Sequence, residues 1–174
     1  MDCRIRQASP TDGPALMHIE QACRVAGAFL PEEELGGGQG MGPRMWRAWL
    51  QCAPPFDREP SVRRAFAAFD QADIFGFIAV SHDSMYAGYR ADVAGLHVLP
   101  RYRRRGIGRL LVKAAARWLV ADGITRMTLS GYERAGTRGF GERLGGFVID
   151  SPSGAEAGGR LITFGFTNLA EMAQ

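Results

Sequence analysis

The pattern of apolar and polar positions is clearest over residues 107–121. There Ile107, Leu110, Leu111, Ala114, Ala115, Trp118 and Leu119 recur at i, i+3, i+4 and i+7, while Arg109, Lys113 and Arg117 share another face. An amphipathic helix is predicted, stopped by Asp122-Gly123. Apolar runs bounded by turn residues predict strands over 62–69, 74–81 and 91–99, which form an antiparallel meander. After the helix come a strand over 126–130, a helix near 135–144, a strand over 147–150, a glycine-rich turn and a strand over 160–167. At the other end a strand over 5–9 leads to Pro10-Thr11-Asp12 and a helix to about residue 25. Residues 26–42 hold Pro31, three consecutive glutamates and six glycines, and read as a mobile connection rather than a regular element. Trp46, Trp49 and Leu50 then mark a short amphipathic helix over 45–52, ended by Pro54-Pro55. The order is strand, two helices, three strands, helix, strand, helix, two strands. It predicts a mixed α/β sheet in one domain, 1–174, without the regular alternation of a doubly wound fold.

Composition changes this picture little. The chain has 174 residues, 46% of them hydrophobic, enough for one sizeable core. No apolar run approaches the roughly 20 residues of a membrane span and no leader pattern opens the chain, so a soluble, cytoplasmic protein with no membrane partner is expected. Cys3, Cys23 and Cys52 are odd in number and lack paired spacing, so buried thiols are expected rather than disulfides or a metal site. The net charge of +3 is modest, but Arg101, Arg103, Arg104, Arg105 and Arg109 crowd one short segment.

That segment carries the candidate chemistry. Arg103-x-x-Gly106-x-Gly108 falls between a predicted strand and the strongest predicted helix. A helix start leaves backbone N–H groups without partners and carries partial positive charge, which suits an anionic phosphate. Glycines at 106 and 108 admit a pyrophosphate to those amides, and the flanking guanidiniums offer charge-assisted bonds. The competing reading is a tight turn with a solvated basic face.

The run Leu96-His97-Val98-Leu99-Pro100-Arg101-Tyr102-Arg103-Arg104-Arg105-Gly106-Ile107-Gly108-Arg109-Leu110-Leu111 resembles the acyl-CoA signature of the GNAT superfamily of N-acetyltransferases. Ile5-Arg6-Gln7-Ala8 with Pro10-Thr11-Asp12 is similar to its usual opening, and residues 140–147 to its late helix and following strand. The resemblance implies a GNAT-like α/β (α+β) fold: a mixed, mostly antiparallel central sheet of about seven strands flanked by about four helices. It implies acetyl-CoA as cosubstrate, no metal, and direct transfer of an acetyl group to an amine. Leu96 and Val98 would lie where the fourth strand splays from the fifth, with the Val98 backbone pairing to the pantetheine arm. Arg103, Arg104, Arg105, Gly106, Ile107, Gly108 and Arg109 would hold the pyrophosphate. Arg101 or Arg104 would reach outlying phosphates; which of them does so is left open.

The chain departs from the family's pattern in two places. Gly141 stands where many members carry a tyrosine that serves the departing thiolate, and Arg134 stands where an asparagine often contacts pantetheine. The catalytic candidates are therefore Asp92, at the position of the base in some members, and Tyr132, the nearest phenol, with Ser130 just before it. Simple alternation puts Asp92 on the face of Ala94, Leu96 and Val98 and puts His97 on the other, as a packed or surface histidine. Residues 29–41, with Glu32, Glu33 and Glu34, would form the acceptor wall, and Tyr86 and Tyr89 would line the same cleft. The expected acceptor is a small-molecule amine or a peptide or protein amine; a homodimer is left open. The alternative is a CoA- or acyl-CoA-binding module with little or no transferase activity. A nucleic-acid partner is not expected from a single short arginine loop.

Overall fold

The computed structural model describes residues 2–24, 42–51, 62–71, 73–133, 136–150 and 161–174. Strand β1 (Arg4–Gln7) leads through a 3-10 turn at Pro10–Asp12 to α1 (Gly13–Cys23) and α2 (Pro43–Gln51). The meander follows as β2 (Arg63–Asp70), β3 (Asp73–Ser81) and β4 (Asp92–Val98). Then come α3 (Ile107–Ala121), β5 (Met127–Tyr132), α4 (Thr137–Arg143), β6 (Phe147–Asp150), β7 (Leu161–Phe166) and α5 (Leu169–Ala173). The expected connection over 26–41, the three glutamates, the glycine run, Cys52, Pro54-Pro55 and Arg134 lie outside the described residues.

Seven strands form one mixed sheet in the order β1-β2-β3-β4-β5-β7-β6, and all its pairings are antiparallel except β4 with β5. Neighbouring residues of a strand point to opposite faces, which fixes the layers. The Phe77 ring meets Trp46 of α2 at 5.0 Å, while a Cβ on Gly76 would meet Leu111 of α3 at 3.5 Å. Helices α1 and α2 therefore cover one face and α3 the other. The α4 helix joins α3 on its face, because Gly141 and Phe140 lie against Phe164 and Gly108. Leu16, Ile19, Phe77, Ile78, Leu111, Leu119 and Phe164 are fully buried between these layers. Each such side chain contributes about 1.5–3 kcal/mol by leaving water.

The entry into α1 is tied down locally. Arg6 Nη1 and Nη2 donate to Asp12 Oδ2 and Oδ1 at 2.7 and 2.9 Å, and the Ser9 N–H donates to Asp12 Oδ2 at 2.7 Å. Bonding from Arg6 holds the Asp12 carboxyl below its ordinary range, against the opposing effect of burial.

Two sequence expectations need correction, and one element is added. The five-residue α5, absent from the pattern reading, brings the α-helices among the described residues to five. It is too short for a periodic signal; Asn168 caps it, and Arg117 Nε and Lys113 Nζ of α3 donate to the carbonyls of Ala173 and Gln174. Strand β5 runs on to Tyr132, which therefore belongs to the strand rather than following it. Cys3 is half-buried, whereas Cys23 is buried as expected.

Candidate functional site

The sheet opens at the one parallel pairing among the described residues. Strands β4 and β5 are in register at Asp92 with Thr128 and at Val93 with Leu129, and no further along. Beyond that point they splay and leave a cleft of about 350 Å³, with Leu96, His97 and Val98 on one wall and Ser130, Gly131 and Tyr132 on the other. Gly108 of α3 and Phe140 of α4 also line it. The Leu99 N–H donates to the Phe75 carbonyl at 2.9 Å, so the two-residue alternation of an antiparallel ladder turns the peptide groups of Leu96 and Val98 away from β3, towards the gap. An exposed strand edge is thus offered to an extended partner, which is the geometry of strand addition. The Val98 carbonyl, however, accepts from Arg103 Nε at 2.9 Å and from the Cys23 thiol at 3.3 Å. The remaining pairing capacity lies in the Val98 N–H and the Leu96 peptide.

The same wall runs into the basic loop. After a 3-10 turn at Pro100–Tyr102, the backbone is left-handed at Arg104 (φ 62°) and Gly106 (φ 81°), and α3 begins at Ile107. The N-cap is Gly106, so no side chain caps the first amides of this 15-residue helix. A second cavity of about 310 Å³ lies at this end, bordered by Arg104, Gly106, Ile107, Gly108, Arg109 and Arg143. The two glycines serve different needs. Gly106 has open space around its missing Cβ and is required by its positive φ, while a Cβ on Gly108 would meet the Phe140 ring at 3.2 Å.

Geometry also sorts the arginines. Arg101 and Arg105 lie over the Tyr102 ring at 5.0 and 5.8 Å, and Tyr102 in turn stacks on Phe75 at 4.6 Å. Arg104, Arg109 and Arg143 border the helix start instead. Arg143 went unnoticed in the sequence because it comes from α4, although its i, i+3 spacing from Phe140 places both on one side of that helix.

On the acceptor side, a bulge overturns simple alternation. The ladder pairs Ala79 with Gly95 and Val80 with Val93, leaving Ala94 as an extra residue in β4. Asp92 therefore shares a face with Gly95 and His97, the face of Phe77, and not with Leu96 and Val98. Its carboxylate accepts from Thr128 Oγ1 at 2.5 Å, just outside the lining of the cleft. Burial raises the Asp92 pKa, opposed by the bonds from Thr128 and the Val93 N–H. His97, expected on the opposite face to Asp92, shares its face and lines the cleft while packing on Phe77 at 5.0 Å. Burial, helped by Arg24 and Arg103, pushes its pKa down to about 4, so it is neutral near pH 7.

Tyr132 lines the cleft, as does the exposed Ser130. Tyr86 and Tyr89 do not. Ser130 Oγ lies 2.9 Å from Thr163 Oγ1, which lies 3.1 Å from Tyr86 Oη, and Tyr86 Oη donates to Asp150 Oδ2 at 2.9 Å. This chain of polar groups was not legible in the sequence, because its members come from β5, β7, the loop before β4 and β6. Tyr89 packs its hydroxyl against Gly165. Gly141 is buried, and a Cβ there would lie 2.6–2.7 Å from three atoms of the Phe164 ring.

Among the described residues no group of three His, Cys, Asp or Glu side chains is placed to hold a metal ion, and no helix is long and apolar enough to cross a membrane. The arrangement is instead a strand edge leading to an uncapped, arginine-bordered helix start, and these donors fit a pantetheine-like arm ending in a pyrophosphate.

Residues 23–146 match the model of the Acetyltransferase (GNAT) family. No curated protein matches the sequence significantly. Solved structures share the fold at low identity. The acetyltransferase of the GNAT family from Streptococcus pneumoniae is 21% identical with a TM-score of 0.68, over 94% of this chain and 98% of that one. The PaiA N-acetyltransferase from Thermoplasma acidophilum, in complex with coenzyme A, is 18% identical with a TM-score of 0.67, over 96% and 99%. The ribosomal-protein-S5-alanine acetyltransferase from Vibrio fischeri is 16% identical with a TM-score of 0.70, over 97% and 94%.

Proposed function

Because the chain belongs to the GNAT acetyltransferase family, we propose that it is an N-acetyltransferase that moves an acetyl group from acetyl-CoA to an amine by direct attack with both substrates bound. One observation carries the reading: the gap between β4 and β5 opens onto the uncapped start of α3, so an extended arm and an anionic head fit in one line. Acetyl-CoA supplies an activated thioester whose leaving thiol, with a pKa of about 8.5, needs little acid help.

The chain's own residues bind and orient. Leu96 and Val98 pair with the arm; the amides of Gly106, Ile107 and Gly108 and the backbone of Arg105, with the side chains of Arg103, Arg104, Arg109 and Arg143 around them, hold the pyrophosphate. Tyr132 is the proposed acid, since it lines the cleft. Asp92 is the proposed base, acting through a bridging water from just outside the lining; its raised pKa brings it nearer the working range of a general base. The acceptor is a small-molecule amine or an amine of a peptide or protein, as the ribosomal-protein acetyltransferase among the similar structures suggests. We read residues 1–174 as one cytoplasmic domain.

Thiol release from acetyl-CoA and longer acyl-CoAs, measured against a panel of amine classes, tests the activity; repetition with Asp92→Asn tests the base. An unchanged rate in that variant at saturating acceptor rules Asp92 out. The buried Gly141 favours one second reading, a coenzyme-binding module without transfer, since no phenol stands at the family's usual position. Tight binding of acetyl-CoA in calorimetry with no thiol released by any amine supports that reading instead.

A further inference from the structure

The polar chain behind the cleft has a direction that the proposed function leaves unused. Its three contacts join four groups: Ser130 Oγ to Thr163 Oγ1 at 2.9 Å, Thr163 Oγ1 to Tyr86 Oη at 3.1 Å, and Tyr86 Oη to Asp150 Oδ2 at 2.9 Å. Three hydroxyl protons are available for three contacts. A carboxylate only accepts, so the Tyr86 proton lies on Asp150. Tyr86 Oη then has only lone pairs for Thr163, which must donate to it, and Thr163 in turn only accepts from Ser130. Any other arrangement leaves two oxygen lone pairs facing each other at Thr163, which is fully buried.

The Ser130 proton is therefore committed inward, and Ser130 presents lone pairs to the cleft it lines. The geometry points to Ser130 as the group that accepts an N–H of the acceptor amine, oriented by Thr163, Tyr86 and Asp150 as positioning residues. This assignment rests on the transferase reading. It gives Ser130 the opposite polarity to an acid: so aligned, it neither protonates a thiolate nor donates to a carbonyl oxygen. It selects acceptors that carry N–H groups over anionic ones.

The test uses the full chain, the best amine of the panel, and the variants Thr163→Val, Thr163→Ser and Tyr86→Phe. Thr163→Val and Tyr86→Phe are expected to raise the KM for the amine about tenfold, roughly the loss of one hydrogen bond. The calorimetric affinity for CoA is expected to stay within about twofold of wild type in every variant, and Thr163→Ser, which keeps the hydroxyl, is expected to restore the KM. The assignment is overturned if folded Thr163→Val and Tyr86→Phe keep the wild-type KM, if Thr163→Ser is as impaired as Thr163→Val, or if CoA affinity falls in parallel with amine binding. A wild-type protein that binds CoA but releases no thiol with any amine overturns the transferase reading and this assignment together. A wild-type KM in both variants of an active enzyme overturns this one alone.

Discussion

Restoring even one methyl at position 141 should destabilise the fold, and the helix that carries it supplies the control. A Cβ at Gly141 falls 2.6–2.7 Å from three ring atoms of Phe164. Ordinary carbon contacts lie at about 3.5–4.0 Å, so the overlap approaches 1 Å against three atoms at once. Phe164 is fully buried on β7 and has no space to retreat into. Overpacking of this kind costs about 1–3 kcal/mol, and the rigid ring puts it near the upper end. Replacing glycine by alanine inside a helix returns about 1 kcal/mol. The net expectation for Gly141→Ala is a loss of roughly 2 kcal/mol, a drop in Tm of about 4–8 °C for a chain of this size. At Gly139, two residues earlier, a Cβ meets only the mobile end of Arg143 at 3.1 Å. Gly139→Ala should therefore gain up to about 1 kcal/mol from helix propensity alone. Thermal or urea denaturation of both variants decides the matter. A Gly141→Ala protein as stable as wild type would refute the claim that packing against Phe164, rather than lost function, excludes a side chain there. The larger Gly141→Tyr inherits the same overlap, so it does not cleanly test whether the site lacks an acid.

Two other outcomes follow from the site. With the His97 pKa depressed from 6.5 to about 4, the unfolded chain binds more protons between those values, so this contribution to stability is complete above about pH 6.5 and is lost as the pH falls to about 4. Its full size is roughly 3 kcal/mol. Asp12, lowered by Arg6, adds loss in the same acid direction, while Asp92, raised by burial, opposes it; the difference between wild type and His97→Gln in urea titrations over that range isolates the histidine. Second, Arg143→Ala should weaken CoA binding about tenfold and flatten its salt dependence, as expected for a lost charge-assisted bond. Arg105→Ala, whose guanidinium lies over Tyr102, should change CoA affinity by less than about twofold in the same calorimetry, and equal losses in the two variants would contradict this sorting of the arginines.

Local periodicity made most of the architecture legible. The bounds of α3 and β6 coincide with those read from the chain, because Ile107 and Phe147 open apolar patterns that glycine and turn residues delimit sharply. The seven strands were likewise visible as apolar runs between breakers. The loop from Arg103 to Gly108 could be read because its chemistry is contiguous: strand, turn, bare helix start. What stayed hidden depends on contacts between distant segments. Arg143 reaches the helix start only because Phe140 packs on Gly108, and the row from Ser130 to Asp150 exists only because β7 pairs with both β5 and β6. Gly141 looked like a missing catalytic group when it is also a packing necessity, and only the position of Phe164 distinguishes the two.

The bulge at Ala94 shows how one residue redistributes the chemistry of the site. Without it, strict alternation would keep Asp92 in step with Leu96 and Val98 and set it apart from His97. With it, Asp92 and Thr128 stand on one face with Gly95 and His97, where a polar layer runs across the sheet into Ser130 and Thr163. Val93, Leu96 and Val98 are left on the α3 side, where Val98 packs near Leu111. The insertion also sits where the parallel pairing of β4 with β5 ends, so the irregularity that re-aims the side chains coincides with the point where the strands part. On the proposed function, binding and proton handling would fall to different aspects of one strand: the peptide edge of Leu96 and Val98 to the extended arm, and the polar face beside it to the amine. A β4 without the extra residue would keep the edge and lose the alignment of that face, so amine turnover should depend on the bulge far more than coenzyme affinity does.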